Sequence, residues 1–206
     1  MANLILNGST SGSVTLSSPA VSGTTTLTLP TTSGTVLTNG TNTNFPAGTI
    51  LQTSQAIFTG TQTITASGFG NWTDVTSLSV SITPSSSSNK ILLIAQVTAS
   101  LTVDRICYAK FTGGNTATFI GDTNGSRTRV ATFSQSGSAA SSQITCPINM
   151  TYLDSPATTS AITYKVQIAP NFSSGNIGIN YAIIGDSSNA YIPAAASSLI
   201  VMEVKG

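Results

Sequence analysis

The stretch Trp72-Thr-Asp-Val75-Thr-Ser-Leu78-Ser-Val80-Ser-Ile82-Thr83, followed by Pro84-Ser-Ser-Ser-Ser-Asn89 and Lys90-Ile-Leu-Leu-Ile-Ala-Gln-Val-Thr-Ala-Ser-Leu101, decides the fold class. In its first part Leu78, Val80 and Ile82 alternate with serines, the period of two that lays one face of a strand on a core. The Pro-Ser-Asn run then breaks the chain with turn chemistry. The third part opens on four successive apolar residues, Ile91 to Ile94, and reads as a strand buried on both faces at its start. Working outward, Ile50-Leu51, Ile57-Phe58 and Ile64 precede this pair, with Gly60 as a break. Further strand candidates follow at Ile106 to Phe111, Ala117 to Ile120, Val130 to Phe133, Gln143 to Leu153, Ala161 to Ile168, Ile177 to Ile184 and Ser198 to Val204. Turn signals recur about every 8–12 residues, the spacing of a β-sandwich or jelly roll. No window carries the i, i+3, i+4, i+7 pattern of a packed helix. The expected class is all-β: an antiparallel sandwich over 46–206, behind a short β arm over 1–45.

The arm is set off by Thr38-Asn-Gly-Thr-Asn-Thr-Asn-Phe-Pro-Ala-Gly48, a Gly/Asn/Pro-rich hinge. Before it, Leu4 to Leu6 suggest one strand, and Val14/Leu16, Leu27/Leu29 and Val36/Leu37 three more, punctuated by Pro19, Gly23, Pro30 and Gly34. Each offers about two apolar side chains, too few to close a core alone. No cysteine or metal-ligand cluster lies there to help. The arm therefore reads as an assembly device, with Val14, Leu16, Leu27, Leu29, Val36 and Leu37 completing a core shared with other copies of the chain.

Composition narrows the function. Charged residues are 6% of the 206, against about 25% in an average soluble domain. The first charge is Asp74. A neutral surface of Ser, Thr, Asn and Gly is uncommon in cytosolic monomers, which use charge for solubility, and common in extracellular fibres and coats. Net charge is +1, with Arg127 and Arg129 the only close basic pair, so no nucleic-acid footprint is present. No run approaches the ~20 apolar residues of a membrane helix. The first residues, Met1-Ala-Asn-Leu-Ile-Leu-Asn7, lack a signal peptide's basic and apolar regions, so cytoplasmic synthesis is expected. The six Asn-x-Ser/Thr triplets are then chance products of a Ser/Thr-rich chain. Cys107 and Cys146 allow a disulfide, but cytoplasmic synthesis and the lack of CxxC spacing favour two buried thiols.

Few residues suggest reaction chemistry. Histidine is absent. The acids are Asp74, Asp104, Asp122, Asp154, Asp186 and Glu203; glycan cleavage would need two of them about 5–9.5 Å apart, whereas their neighbours suggest turns and ion pairs. Asp122-Thr-Asn-Gly-Ser126 resembles the start of a calcium loop but lacks its distal glutamate, and makes a good plain turn. Gly68-Phe-Gly-Asn-Trp72 has no third glycine and no helix context for a nucleotide. Trp72, Tyr108, Tyr181 and Tyr191 are candidates to stack on sugar rings, or else to fill a core or subunit interface. Loops 112–129, 134–142 and 171–176 offer adaptable polar surface, and Asn115, Asp122, Asn124, Arg127 and Arg129 are the candidate ligand-facing residues. Glu203 and Lys205 either pair or form a solvated terminus. No enzyme activity, cofactor or metal is expected.

The arm motif Gly12-Ser-Val-Thr-Leu-Ser-Ser-Pro19, Gly23-Thr-Thr-Thr-Leu-Thr-Leu-Pro30 and Gly34-Thr-Val-Leu37 resembles one in fibre and appendage proteins of tailed bacteriophages, including marine and cyanobacterial phages. Phe45-Pro-Ala-Gly-Thr-Ile-Leu-Gln52 is similar to the segment that follows it there. Leu78-Ser-Val-Ser-Ile-Thr-Pro-Ser85, Asn89-Lys-Ile-Leu92, Asp154-Ser-Pro156, Thr163-Tyr-Lys-Val-Gln167 and Ser197-Ser-Leu-Ile-Val-Met-Glu-Val204 continue the likeness in order. The resemblance implies a homotrimer with a jelly-roll head and an N-terminal attachment region that docks on other virion proteins. The expected role is a virion component, made in a bacterial host's cytoplasm, with a host-surface glycan as the candidate ligand of its head. A decoration protein that cements capsid or tail without binding a host is the alternative, and a polysaccharide-degrading spike a third. The family's head often carries an Arg-Asn and an Asn-Arg pair where this chain has Tyr108-Ala-Lys110 and Ile179-Asn-Tyr181; a surface built on those pairs would differ here.

Overall fold

A computed structural model describes residues 3–7, 9–17, 23, 24, 26, 31, 33, 45–101, 105–137, 144–183 and 194–206. The chain divides into two compact units, Met1–Thr38 and Asn39–Gly206. In the first unit β1 (Asn3–Asn7) and β2 (Ser13–Ser17) form an antiparallel hairpin, Leu4 opposite Leu16 and Leu6 opposite Val14. Gly12, at φ +77°, supplies the left-handed residue before β2. An isolated two-stranded hairpin is marginal in water. The side chains of Val14 and Leu16, and Leu27, Leu29, Val36 and Leu37 altogether, lie outside the described residues.

The second unit holds β3 (Ile50–Phe58), β4 (Gln62–Thr65), β5 (Thr73–Ile82), β6 (Lys90–Leu101), β7 (Ile106–Thr112), β8 (Thr132–Gln135), β9 (Ile144–Asp154), β10 (Ile162–Pro170), β11 (Asn176–Ile179) and β12 (Ser197–Val204). One sheet runs β3-β12-β6-β9; β11 and β4 continue it where β12 stops, at the far end of β6. The other runs β5-β10-β7-β8. With the short β4 and β11 set aside, the eight remaining strands order as first-eighth-third-sixth and second-seventh-fourth-fifth. That order is two Greek keys folded on each other, a jelly roll. The two sheets meet through Leu78, Val80, Phe111, Tyr164, Val166 and Ile168 on one side and Ile91, Leu93, Val97, Leu199 and Val201 on the other. A fully buried side chain of this size contributes about 1.5–3 kcal/mol.

Three strand expectations shift. Residues 117–120 form no strand: Thr116–Thr118 is a 3-10 turn, because Thr116 and Thr118 turn their hydroxyls onto the carbonyls of Gly113 and Asn115 at 2.7 and 2.9 Å and so favour a local bend. The strand expected at 130–133 begins two residues later. The one expected at 177–184 ends at Ile179, because Asn180 takes φ +65°. Its buried amide donates to the carbonyls of Phe58 and Gly60 at 2.7 and 2.9 Å and accepts from Ser197 Oγ at 2.6 Å.

The outer faces of the two sheets differ. In the β5-β10-β7-β8 sheet, β5 from Leu78 and β10 alternate, with Ser79, Ser81, Thr163, Lys165 and Gln167 outward, while β7 and β8 turn Tyr108 and Phe133 outward. On the other sheet the expectation that β6 is buried on both sides is not met within one chain. Ile91 and Leu93 are fully buried, but Leu92 and Ile94 point outward, only part-covered, beside Ile200 and Met202 of β12 and Leu153 of β9.

Glu203 is neither a solvated terminal acid nor paired with Lys205. It is fully buried, accepting from Ser85 N and Oγ at 2.7 and 2.8 Å, Asn89 Nδ2 at 2.6 Å and Gln52 Nε2 at 2.6 Å. The carboxylate thereby ties the turn between β5 and β6 to β12 and β3.

Cys107 and Cys146 are both buried thiols. Burial, then the neighbouring Cys146, pushes the Cys107 thiol up to about 12, and burial raises Cys146. At pH 8 a thiol of that pKa is about one ten-thousandth thiolate, the nucleophilic form. Iodoacetamide should therefore label Cys107 at least ~100-fold more slowly in the native protein than in urea, read by mass spectrometry. Equal rates would contradict the burial.

Candidate functional site

β7 and β8 are adjacent strands joined by the long loop 113–131, and this loop builds the candidate site. Its base is fixed. Gly113 and Gly114 both take positive φ and bring the Asn115 backbone N–H to the buried Asp154 carboxylate at 3.1 and 3.2 Å. Tyr164 donates to the same carboxylate at 2.7 Å, and burial together with Asp154 raises the Tyr164 phenol above its ordinary value. Phe119 stacks on Tyr152 at 4.7 Å between centroids, and Thr118 hydrogen-bonds the Tyr152 hydroxyl at 2.8 Å. The distal half folds on itself, through Gly121 N to Val130 O at 3.1 Å, Arg129 Nε to Gly121 O at 2.6 Å and a turn closed by Arg127 N to Asn124 O at 3.2 Å. The segment that resembled a calcium loop is thus a turn, with Gly125 at φ +58°.

Between this distal half and the outer face of β7 and β8 lies an open cleft of about 550 Å³. Strand alternation points Tyr108 and Phe133 outward as a cross-strand pair, and Phe133 is 60% exposed. Asp122, Asn124, Arg127 and Arg129 line the opposite side. Arg129 also borders a second groove of about 280 Å³ with Trp72 and Lys110, where the Lys110 ammonium sits 4.2 Å from the Trp72 ring centroid. The Lys165 charge is taken by Asp74 at 2.8 Å; that contact, with Gln167, holds the Asp74 carboxyl below its usual range.

Four of the five candidate ligand-facing residues come together here, Asp122, Asn124, Arg127 and Arg129. Asn115 does not join them. Its side chain donates to Ser155 O at 2.6 Å and supports the loop base. Of the candidate stacking residues, Tyr108 lines the cleft and Trp72 the adjoining groove; the Tyr181 hydroxyl bonds Thr63 at 2.7 Å, and Tyr191 is outside the described residues. Phe133 was missed as a site residue, although strand alternation opposite Tyr108 marks its side. Lys110, Arg127 and Arg129 against Asp122 give three positive charges and one negative, a local excess of +2 in a chain whose net charge is +1. Chemically the lining offers aromatic faces for stacking and guanidinium forks for a carboxylate.

No family model matches this chain, and no curated protein matches it. A solved structure of infectious bursal disease virus (Gx strain) is similar at 12% sequence identity and a TM-score of 0.36, over 84% of this chain and 47% of that one. This chain thus spans about half the length of that one.

Proposed function

We propose that this chain is a virion structural protein of a tailed bacteriophage: a trimeric fibre that docks on the particle by its N-terminal arm and presents the jelly roll to a host surface. The cleft of Tyr108, Phe133, Arg127, Arg129 and Asp122 binds an anionic glycan there. The observation that carries the binding role is this cleft of aromatic and cationic side chains on a loop tethered at its base, since a pre-organised site loses little entropy on binding. The ordered sequence motifs, the scarcity of charge and the jelly roll support the fibre. Among the described residues the acids favour binding over bond cleavage. Asp74 is engaged by Lys165, Asp154 and Glu203 are buried in hydrogen bonds, and Asp122 is the one acid among the described residues lining the cleft. Weak single-site affinity would be multiplied by several copies per particle.

The test is retention of the full chain on immobilised polygalacturonate, with neutral dextran as control. Wild type should be retained on polygalacturonate at low salt. Tyr108→Ala and Arg127→Ala should each weaken retention about tenfold, the worth of one stacking or charge-assisted contact at about 1.4 kcal/mol. Failure to bind either polymer or host cells would favour the decoration protein.

A further inference from the structure

We propose that the outer face of β3-β12-β6-β9 is an interface between copies of this chain. This places an assembly contact on the jelly roll itself, beyond the one assigned to the arm, and rests on the fibre reading only in expecting self-assembly. The sequence of β6 is apolar on both sides from Ile91 to Ile94, a pattern of strands covered on both faces. The chain covers one. On the other, Leu92, Ile94, Ile200 and Met202 form a part-covered apolar centre, with Leu153 at 45% exposure and Ile57 at 56% on its margins. On the opposite sheet β5 and β10 turn serines, threonines, a lysine and a glutamine outward, and its outward aromatics, Tyr108 and Phe133, line the cleft on β7 and β8 instead of a continuous apolar centre.

Two arguments commit the occupant to a second copy. The first is charge. Among the described residues, the strand positions of this face carry a single charge, Lys90, at one corner, so the face packed on its like meets almost no repulsion and offers a charged partner nothing to read. The second is size. Four strands about 4.8 Å apart and eight residues at about 3.3 Å make a face of about 19 by 26 Å, or roughly 500 Å² per copy. Two such faces packed on each other across a local two-fold axis bury about 1,000 Å², the least a stable interface needs, so this contact pairs copies and is additional to the three-fold contact proposed for the arm.

Met202 lies at the centre of this face and reports on it, while Met150, buried on the inner side of β9, reports on the fold. The experiment is hydrogen peroxide oxidation of the full chain, read per methionine by mass spectrometry, beside light-scattering mass. Ile94→Lys disrupts the face, Thr151→Lys does so if the first variant fails to fold, and Ser79→Lys on the opposite sheet is the control. The expected result is a multimer in which Met202 oxidises at least tenfold more slowly than in Ile94→Lys, Met150 stays slow in every variant, and Ser79→Lys matches wild type. A multimer whose Met202 oxidises as fast as in Ile94→Lys would overturn this interface and leave the arm as the assembly device. A monomer would overturn both.

Discussion

Gly113→Ala should cost about 3–4 kcal/mol, a large loss for a single added methyl group. Gly113 has φ +100°, and a Cβ there would fall against the carbonyl oxygen of Thr163, 3.1 Å from its carbon and 3.2 Å from Tyr164 Cα. All three atoms are backbone of β10, which is hydrogen-bonded on both sides, to β5 and β7. The strand cannot retreat without breaking a ladder, so overpacking of about 1–3 kcal/mol adds to left-handed strain of about 1–2 kcal/mol. Gly125→Ala separates the two contributions. It also has positive φ, +58°, but nothing lies within 4 Å of its added Cβ, so it should cost only the strain, about 1 kcal/mol. Urea midpoints at constant slope measure both. Equal losses would mean that Thr163 does not wall in Gly113. Because Gly113 opens the loop that builds the cleft, Gly113→Ala should also weaken retention on polygalacturonate, at temperatures where the variant is still folded.

The second large effect is a dependence on acid. Burial alone would raise the Glu203 carboxyl, but hydrogen bonds from Asn89, Gln52 and Ser85 more than offset it and leave it below its ordinary value of 4.5. The folded protein therefore binds this proton more weakly than the unfolded chain. Its contribution is fully present above about pH 4.5 and is lost as pH falls through the lower folded value. Asp74, shifted the same way by Lys165 and Gln167, is exposed and should contribute far less. Glu203→Gln replaces one acceptor by an amide donor among groups that themselves donate, so it should cost about 2–3 kcal/mol near neutral pH. It should also flatten the fall in stability below pH 4.5. Urea unfolding from pH 3 to 7 measures both, with Asp74→Asn alongside. An undiminished acid limb in Glu203→Gln would remove Glu203 as its source.

Much of this architecture is legible in the sequence where one physical pattern dominates. Leu78, Val80 and Ile82 alternate because one side of β5 faces the core, and the stretch Trp72 to Thr83 marks that strand to within a residue. The run Ile91 to Ile94 reads as a strand buried on both faces, yet the chain buries only Ile91 and Leu93; what would cover Leu92 and Ile94 is not a local property of the sequence. The segment from Ala117 to Ile120 misled because apolar content and β propensity point to a strand, whereas the local hydroxyl bonds of Thr116 and Thr118 follow from where Gly113 and Gly114 put the chain. Glu203 was the hardest to read. Its donors come from positions 52, 85 and 89, and nothing near residue 203 signals a buried acid. The site was half legible: Asp122 to Arg129 stand out as a polar, charged loop, but its neighbours Tyr108 and Phe133 come from strands that meet only in register.

The place of β12 also bears on how the chain reaches this state. Residues 197–204 lie between β3 and β6, strands that begin near residues 50 and 90. Those two strands do not pair with each other along that length; each pairs with β12. During synthesis, at about 5–20 residues per second, at least about five seconds separate the emergence of β6 from that of β12. For that interval the strongly apolar β6 has one of its ladder edges open, beside partners that arrive late. Such long-range closure slows folding and exposes edges. The jelly roll should therefore fold largely after translation of residue 204, and truncation before β12 should yield aggregates instead of a smaller folded domain.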